Sequence, residues 1–360
     1  LLLCSPQVAV DQYQALQRAL PRVHLHYALK PLPHTWIVQA LAEAGSSFDL
    51  AANGEVDLVR NCGVAPDRTI HTHPIKRASD IEHALAYGCR TFVVDNPDEI
   101  HKLTPYAEQA RVLLRLSFRS RDAVVDLSWK FGAQPDQALE LLRLGKSLGI
   151  HWQGLCFHTG SQNTNTSQYV EAIHVCRRIF DLAALDGILL STLDIGGGFP
   201  VSYTEPVLPI ELYAQPIAQE LDRLFPDTRL LAEPGRFIAA PACLAVSTVM
   251  GRAQRQGQWW YYLDDGMYGT YSGKIFDHAD YPITTVRELT EPNCTRYPSV
   301  LAGPTCDSID VPYENLLLPA LDVGDLILAP MTGAYTLATA TDFNFFPRAK
   351  LINLDSEEIA

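Results

Sequence analysis

The sequence predicts an α/β fold: a parallel (β/α)8 barrel over residues 1–236, then a mostly β domain over residues 237–360. Three observations predict it. Short apolar runs alternate with amphipathic stretches from residue 24 to residue 236. Charged and hydrogen-bonding residues gather at the ends of those runs. After Arg236 the long helical patterns stop, and Pro and turn residues punctuate the chain.

The candidate barrel strands are His24–Lys30, Ser47–Ala51, Thr69–His73, Thr91–Asp95, Val112–Leu116, Gly154–Thr159, Thr192–Gly196 and Leu230–Glu233. Helical patterns lie between most of them. Thr35–Ala44 stops at Gly45, Asn53–Asn61 near Gly63, Ser79–Tyr87 at Gly88 and Ser167–Leu185 before Gly187. A glycine just past the last periodic residue is a fitting helix stop. On periodicity alone, a doubly wound open sheet is the alternative. In the second region Leu244–Met250, Trp259–Leu263, Ser299–Leu301 and Asp325–Ala329 read as strands. The opening Leu1–Cys4 also reads as a strand. As a lipoprotein signal it lacks a basic start and a long apolar core, and Leu3 is not small. The sequence opens on Leu1 rather than Met, so upstream residues are expected in the natural protein.

The 360 residues are 47% hydrophobic and 19% charged, enough for two domains with an ordinary globular composition. The net charge of −13 repels phosphate backbones, so no nucleic-acid partner is expected, and it mildly favours approach of a cationic small molecule. No apolar run reaches membrane-spanning length, so no membrane partner is expected. Eight scattered cysteines without a C-x-x-C pair give neither a zinc ribbon nor a redox pair. They fit a reduced, cytoplasmic protein. No H-E-x-x-H is present. His71 and His73 share one strand face but read as ordinary barrel residues, so no metal is expected. Gly269–Lys274 resembles a Walker loop but is one residue short and runs into Ile275.

A (β/α)8 barrel carries its active site at the C-terminal ends of its strands. Here those ends hold Lys30, Asp49, His73, Asp95, Arg115, His158, the triplet Gly196-Gly197-Gly198, and Glu233 followed by Arg236. Any one of these alone would be an unremarkable strand-terminal residue. Together they describe a ring of charged and hydrogen-bonding groups. The glycine triplet lets backbone N–H groups approach an anion, and Arg236 adds a charge-assisted contact to the same phosphate. A lysine beside an acid, an imidazole and a phosphate cradle suits a Schiff-base cofactor, pyridoxal 5'-phosphate (PLP).

The ordered motifs resemble those of the fold-type III PLP decarboxylases of basic amino acids, the ornithine, lysine, arginine and diaminopimelate decarboxylases. The motifs are Tyr27-Ala28-Leu29-Lys30, Phe48-Asp49-Leu50-Ala51, Lys130-Phe131-Gly132, Phe157-His158-Thr159-Gly160-Ser161, Asp194-Ile195-Gly196-Gly197-Gly198-Phe199-Pro200, Glu233-Pro234-Gly235-Arg236, Gly303-Pro304-Thr305-Cys306-Asp307 and Gly333-Ala334-Tyr335-Thr336. The resemblance implies a PLP-binding barrel, a β domain that adds to the substrate site, and a homodimer with two shared active sites. It implies that Lys30 binds the cofactor covalently, that His158 stacks on its ring and that Glu233 pairs with its nitrogen. Ser161, Gly196, Gly197, Gly198, Arg236 and Tyr335 would hold the phosphate, and Asp49, Arg115 and Glu55 would support the lysine and the ring. Cys306 and Asp307 would come from the partner subunit, Cys306 as the proton donor; a thiol can serve as a general acid near neutral pH.

Substrate choice rests on Asp277, in Phe276-Asp277-His278-Ala279, and on Asp307. Two carboxylates facing a distal amine favour a diamine precursor, ornithine or lysine. Diaminopimelate decarboxylases carry Cys-Glu-Ser where this chain has Cys306-Asp307-Ser308. The departures are Leu50 and Ala52 in the Phe-Asp-Cys-Ala-Ser motif, Thr72-His73-Pro74-Ile75-Lys76 in the Asn-Pro-Cys-Lys region, and Phe276 in place of a tyrosine. Other readings stand beside this one: decarboxylation of diaminopimelate or another amine-bearing intermediate, amino-acid racemisation on the same scaffold, and a non-catalytic homologue that works by binding a protein. Such homologues tend to lose cofactor groups, and those named above are all present.

Overall fold

The first strand, β1 (Leu2–Cys4), does not belong with the barrel that follows it in sequence. In the computed structural model, which describes residues 1–119 and 128–356, the chain forms two units. Val10–Pro200 and Val207–Phe237 make one; Leu1–Ala9, Val201–Pro206 and the chain from Ile238 onward make the other. Against the expected division at 236, Leu1–Ala9 and Val201–Pro206 group with the second unit rather than with the barrel. The reason is local: Leu2 and Cys4 are fully buried in the sheet of the second unit.

The barrel is closed. Its strands are β2 (Val23–Ala28), β3 (Ser47–Leu50), β4 (Thr69–His71), β5 (Thr91–Val94), β6 (Arg111–Leu116), β7 (Trp152–Phe157), β8 (Thr192–Asp194) and β9 (Arg229–Ala232). Every neighbouring pair is parallel, and β9 returns to β2 with Val23 opposite Leu230. That pairing rules out the open doubly wound sheet. Strands of a parallel sheet covered on both faces are apolar throughout rather than alternating, and β7 is buried at all of its positions. Helices fill the return paths, among them Thr35–Glu43, Asn53–Asn61, Ala78–Tyr87 and Ser167–Leu185. The first presents Ile37, Val38 and Leu41 to the core, one apolar stripe of helical period.

The second unit is built on one sheet. Its strands are β1, β10 (Cys243–Arg255), β11 (Gln258–Leu263), β12 (Thr284–Thr285), β13 (Arg296–Ala302), β14 (Tyr313–Pro319), β15 (Leu326–Pro330) and β16 (Leu351–Asn353). The order is β12-β15-β10-β11-β13-β14, with β1 joining β10 to β16. The first seven residues of β10 alternate between buried and half-buried, the period-2 signature of a strand with one face on a core. No helix among the described residues is long and apolar enough to cross a membrane.

His26, inside β2, is 1% exposed, and burial pushes its imidazole down to about 3. The folded protein therefore holds it neutral, while the unfolded chain protonates it near pH 6.5. Stability is full above pH 6.5 and is lost as pH falls toward 3. The predicted loss is about 1.4 kcal/mol per pH unit within that window. Thermal unfolding of wild type and His26→Leu between pH 7 and pH 4 checks it: the variant should lack this part of the acid sensitivity.

Candidate active site

The barrel gathers its charged groups at or just past the ends of its strands. Lys30 lies two residues past β2 and is exposed. Its ammonium draws down the carboxyls of Asp49 in β3, Glu55 in the helix that follows β3, and Glu233 just past β9. Burial pushes each of the three the other way, and is the larger effect. Asp49 lies in β3 at 4% exposure, with the Thr72 hydroxyl donating to its Oδ1 at 2.5 Å. Glu55 sits in the first turn of helix Asn53–Asn61, where the helix dipole favours a carboxylate, and accepts the Ala51 N–H at 2.5 Å.

His158 follows β7. Its Nδ1 faces the Gly160 N–H at 3.0 Å and so must accept, which leaves Nε2 to carry the proton of the neutral ring. Burial first, then the charges of Lys30 and Arg115, hold the imidazole well below its ordinary range. A flat, neutral ring is what stacking on a pyridine requires. Arg115 in β6 rests its guanidinium over the Phe131 ring, 5.4 Å from the centroid, and the His73 ring meets the same phenyl at 5.4 Å. Phe131, between Lys130 and Gly132, gains a place in the site through these contacts with Arg115 and His73.

The glycine triplet lies between β8 and the segment after β9. Its crowding explains its composition: a Cβ on Gly196 would fall 2.2 Å from Phe157 O, and one on Gly197 would fall 2.4 Å from Glu233 O and 3.2 Å from His158 Nε2. Tyr169, fully buried, donates its hydroxyl to Gly197 O at 2.6 Å and pins the loop. Arg236, 5% exposed, donates to Ser161 Oγ at 2.8 Å, which brings these two residues together. Asp194 is the residue that sequence reasoning passed over. Its Oδ1 accepts the Gly196 N–H at 2.9 Å, it is fully buried, and burial pushes its carboxyl up to about 6. Its place at the head of the Asp-Ile-Gly-Gly-Gly motif was the available signal. The charge of Asp194 also helps burial raise Glu233.

The remaining candidates lie in the second unit. Asp277 closes the short helix Gly273–Phe276 and is 7% exposed. Tyr335 takes a left-handed backbone, φ 56°. Cys306 is exposed and donates its thiol to Asn344 Oδ1 at 3.4 Å, while Asp307 accepts the Tyr268 hydroxyl at 2.5 Å.

A lysine, a neutral imidazole, raised carboxyls and a side-chain-free loop beside an arginine, all at one end of a closed barrel, define a PLP enzyme. The fit is set by the chain itself: the loop has room only for backbone, and burial raises the Glu233 carboxyl well above its ordinary range. Lys30 would hold PLP covalently, Arg236, Ser161 and the triplet would take its phosphate, and Glu233 its ring nitrogen.

Residues 8–240 match the family model of the pyridoxal-dependent decarboxylases, pyridoxal binding domain, and the chain belongs to that family. It is 40% identical to the lysine/ornithine decarboxylase of Selenomonas ruminantium over 99% of this chain and 90% of that protein. A lysine/ornithine decarboxylase from Vibrio vulnificus, solved with cadaverine, is 54% identical with a TM-score of 0.94, covering 99% of this chain and 94% of that one. The arginine decarboxylase of Paramecium bursaria Chlorella virus, solved with agmatine, is 31% identical with a TM-score of 0.93, covering 98% and 95%. The protein is a PLP-dependent carboxy-lyase acting on basic amino acids.

Arg236→Met should raise the dissociation constant for PLP about 10- to 100-fold, the worth of a lost charge-assisted contact. Equilibrium dialysis of the cofactor against both proteins measures it; unchanged affinity would take Arg236 out of the phosphate site.

Proposed function

We propose that this enzyme converts L-ornithine to putrescine, and also L-lysine to cadaverine, with Cys306 as the proton donor. The observation that carries the reading is the pair of carboxylates, Asp277 and Asp307, beside Cys306 in the sequence pattern of a diamine-precursor site. The Vibrio vulnificus relative solved with both cadaverine and putrescine supports it. A distal ammonium satisfies two carboxylates, whereas a neutral side chain would leave them without a cation. Asp307 also opposes diaminopimelate, whose distal carboxylate needs a positive partner.

PLP, when bound, accepts the electron pair left on the α-carbon as the bond to the departing carbon dioxide breaks. The chain does the rest. Lys30 receives the cofactor, His158 and Glu233 orient its ring, and Asp277 and Asp307 fix the amine end of the substrate. Cys306 then delivers its proton to the α-carbon. The enzyme works as a cytoplasmic homodimer, with Cys306 and Asp307 reaching the site of the partner subunit.

Ornithine and lysine differ by one methylene, worth about 1–3 kcal/mol in discrimination. A panel of ornithine, lysine, arginine and diaminopimelate with mass-spectrometric product identification decides the substrate. Putrescine should form fastest and cadaverine second; agmatine as the main product would overturn the reading. Mixing inactive Lys30→Ala and Cys306→Ala proteins tests the shared site. Partial activity should return as mixed dimers form, and no recovery on verified subunit exchange would place both residues in one subunit's site.

A further inference from the structure

Two of the cysteines scattered along the chain meet in the second unit. Cys4 ends β1 and Cys243 opens β10, and the antiparallel ladder sets them directly opposite each other. We propose that Cys4 and Cys243 form a redox modification site: a peroxide joins them in a reversible disulfide that locks β1 to β10.

The ladder supplies the geometry. Opposed residues of an antiparallel pair alternate between positions that exchange hydrogen bonds and positions that do not. Leu1 N donates to Val246 O at 2.8 Å, and the Val246 N–H returns the bond to Leu1 O at 2.8 Å. Further along, the Ser5 N–H donates to Ala242 O at 2.9 Å. Cys4 and Cys243 therefore fall at a position without ladder bonds. There the Cα atoms approach to about 4.5 Å and the side chains come closest. A disulfide spans Cα separations of about 4.4–6.8 Å, so the backbone already suits one. The two thiols also hydrogen-bond to each other. Among the described residues, no other strand register sets two cysteines opposite one another.

The surroundings suit thiols that react only when the strand opens. Both are buried, on the same face as Leu2 and Ala245. The bond to the Cys4 thiol, and then burial, hold Cys243 well above the ordinary thiol range. In the closed fold it is protonated and inert. Reaction begins when β1 detaches; the strand has three residues, and local opening costs less than global unfolding.

The chemistry balances with hydrogen peroxide as the oxidant. The Cys4 thiolate attacks one peroxide oxygen, the O–O bond breaks, and Cys4 becomes a sulfenic acid with release of water. When β1 pairs again, the Cys243 sulfur attacks the sulfenic sulfur. The S–S bond forms, the S–O bond breaks, and the hydroxyl leaves with the Cys243 proton as a second water. Two thiols are oxidised by one peroxide, which takes up two electrons. A small dithiol reverses the bond by exchange. The crosslink closes a loop of 239 positions (4 to 243), which restricts the unfolded chain and favours the folded one.

The test treats holoenzyme with hydrogen peroxide, alone and in sub-denaturing urea, which promotes local opening. Free thiols are then blocked and the peptides are mapped by mass spectrometry without reduction. A linked Cys4–Cys243 peptide should form, faster in urea, and disappear with dithiothreitol. The melting temperature of the oxidised enzyme should rise by roughly 2–8 °C and fall back on reduction. Cys4→Ala and Cys243→Ala should each abolish the linked peptide and the rise. Recovery of the two cysteines unlinked under both conditions would overturn the proposal. So would a linked pair that leaves the melting temperature unchanged, or a rise that persists in Cys4→Ala.

Discussion

One ammonium among three sequestered carboxyls is the interaction on which the site depends. Asp49, Glu55 and Glu233 are each pushed upward by loss of water, and each is drawn back by Lys30. Without that cation the same desolvation would meet less opposing charge, with Arg115 still acting on Glu233. Closure of the barrel places the four groups together although 203 positions separate Lys30 from Glu233 (30 to 233). The β2–β9 pairing that closes it puts Leu25 opposite Ala232, one residue before Glu233.

The same arrangement explains why the site discriminates among protonation states. Glu233 and Asp194 are both raised chiefly by burial, with the charge of Asp194 adding to the rise of Glu233 and that of Asp49 to the rise of Asp194, while His158 is kept neutral by burial and by the nearby cations. A raised carboxyl and a neutral imidazole are different answers to one condition, the loss of water at the mouth of a packed barrel. The glycine triplet belongs to that condition as well. Its backbone occupies space between Phe157, His158 and Glu233 in which a side chain has no room.

Much of this was legible in the sequence. All eight barrel strands begin within two residues of their expected starts, because buried parallel strands are continuous apolar runs. Most end one or two residues earlier than expected. Lys30, His73, Asp95 and Glu233 stand just beyond the hydrogen-bonded ladder, which is where a barrel presents its chemistry. The second unit was harder. Tyr313–Pro319 forms β14 although Glu314, Asn315 and the closing Pro319 disguise it, and β12 and β16 are too short to carry a period. Leu2–Cys4 was recognised as a strand, but contiguity in sequence says nothing about which sheet a strand joins. Tyr268 escaped notice for a related reason. Its hydroxyl meets Asp307, 39 residues away, and nothing in its own neighbourhood signals that contact.

The central claim is that Lys30, and no other lysine, receives the cofactor. Lys76 is the instructive competitor: it is also near the barrel mouth, but it is 3% exposed, donates to three backbone carbonyls and pairs with Glu99. Borohydride reduction of the PLP-loaded enzyme, followed by peptide mass spectrometry, reads the attachment point directly. A pyridoxyl group on the peptide containing Lys30 is the predicted result; a label on Lys76 or any other lysine, with Lys30 unmodified, would contradict the account.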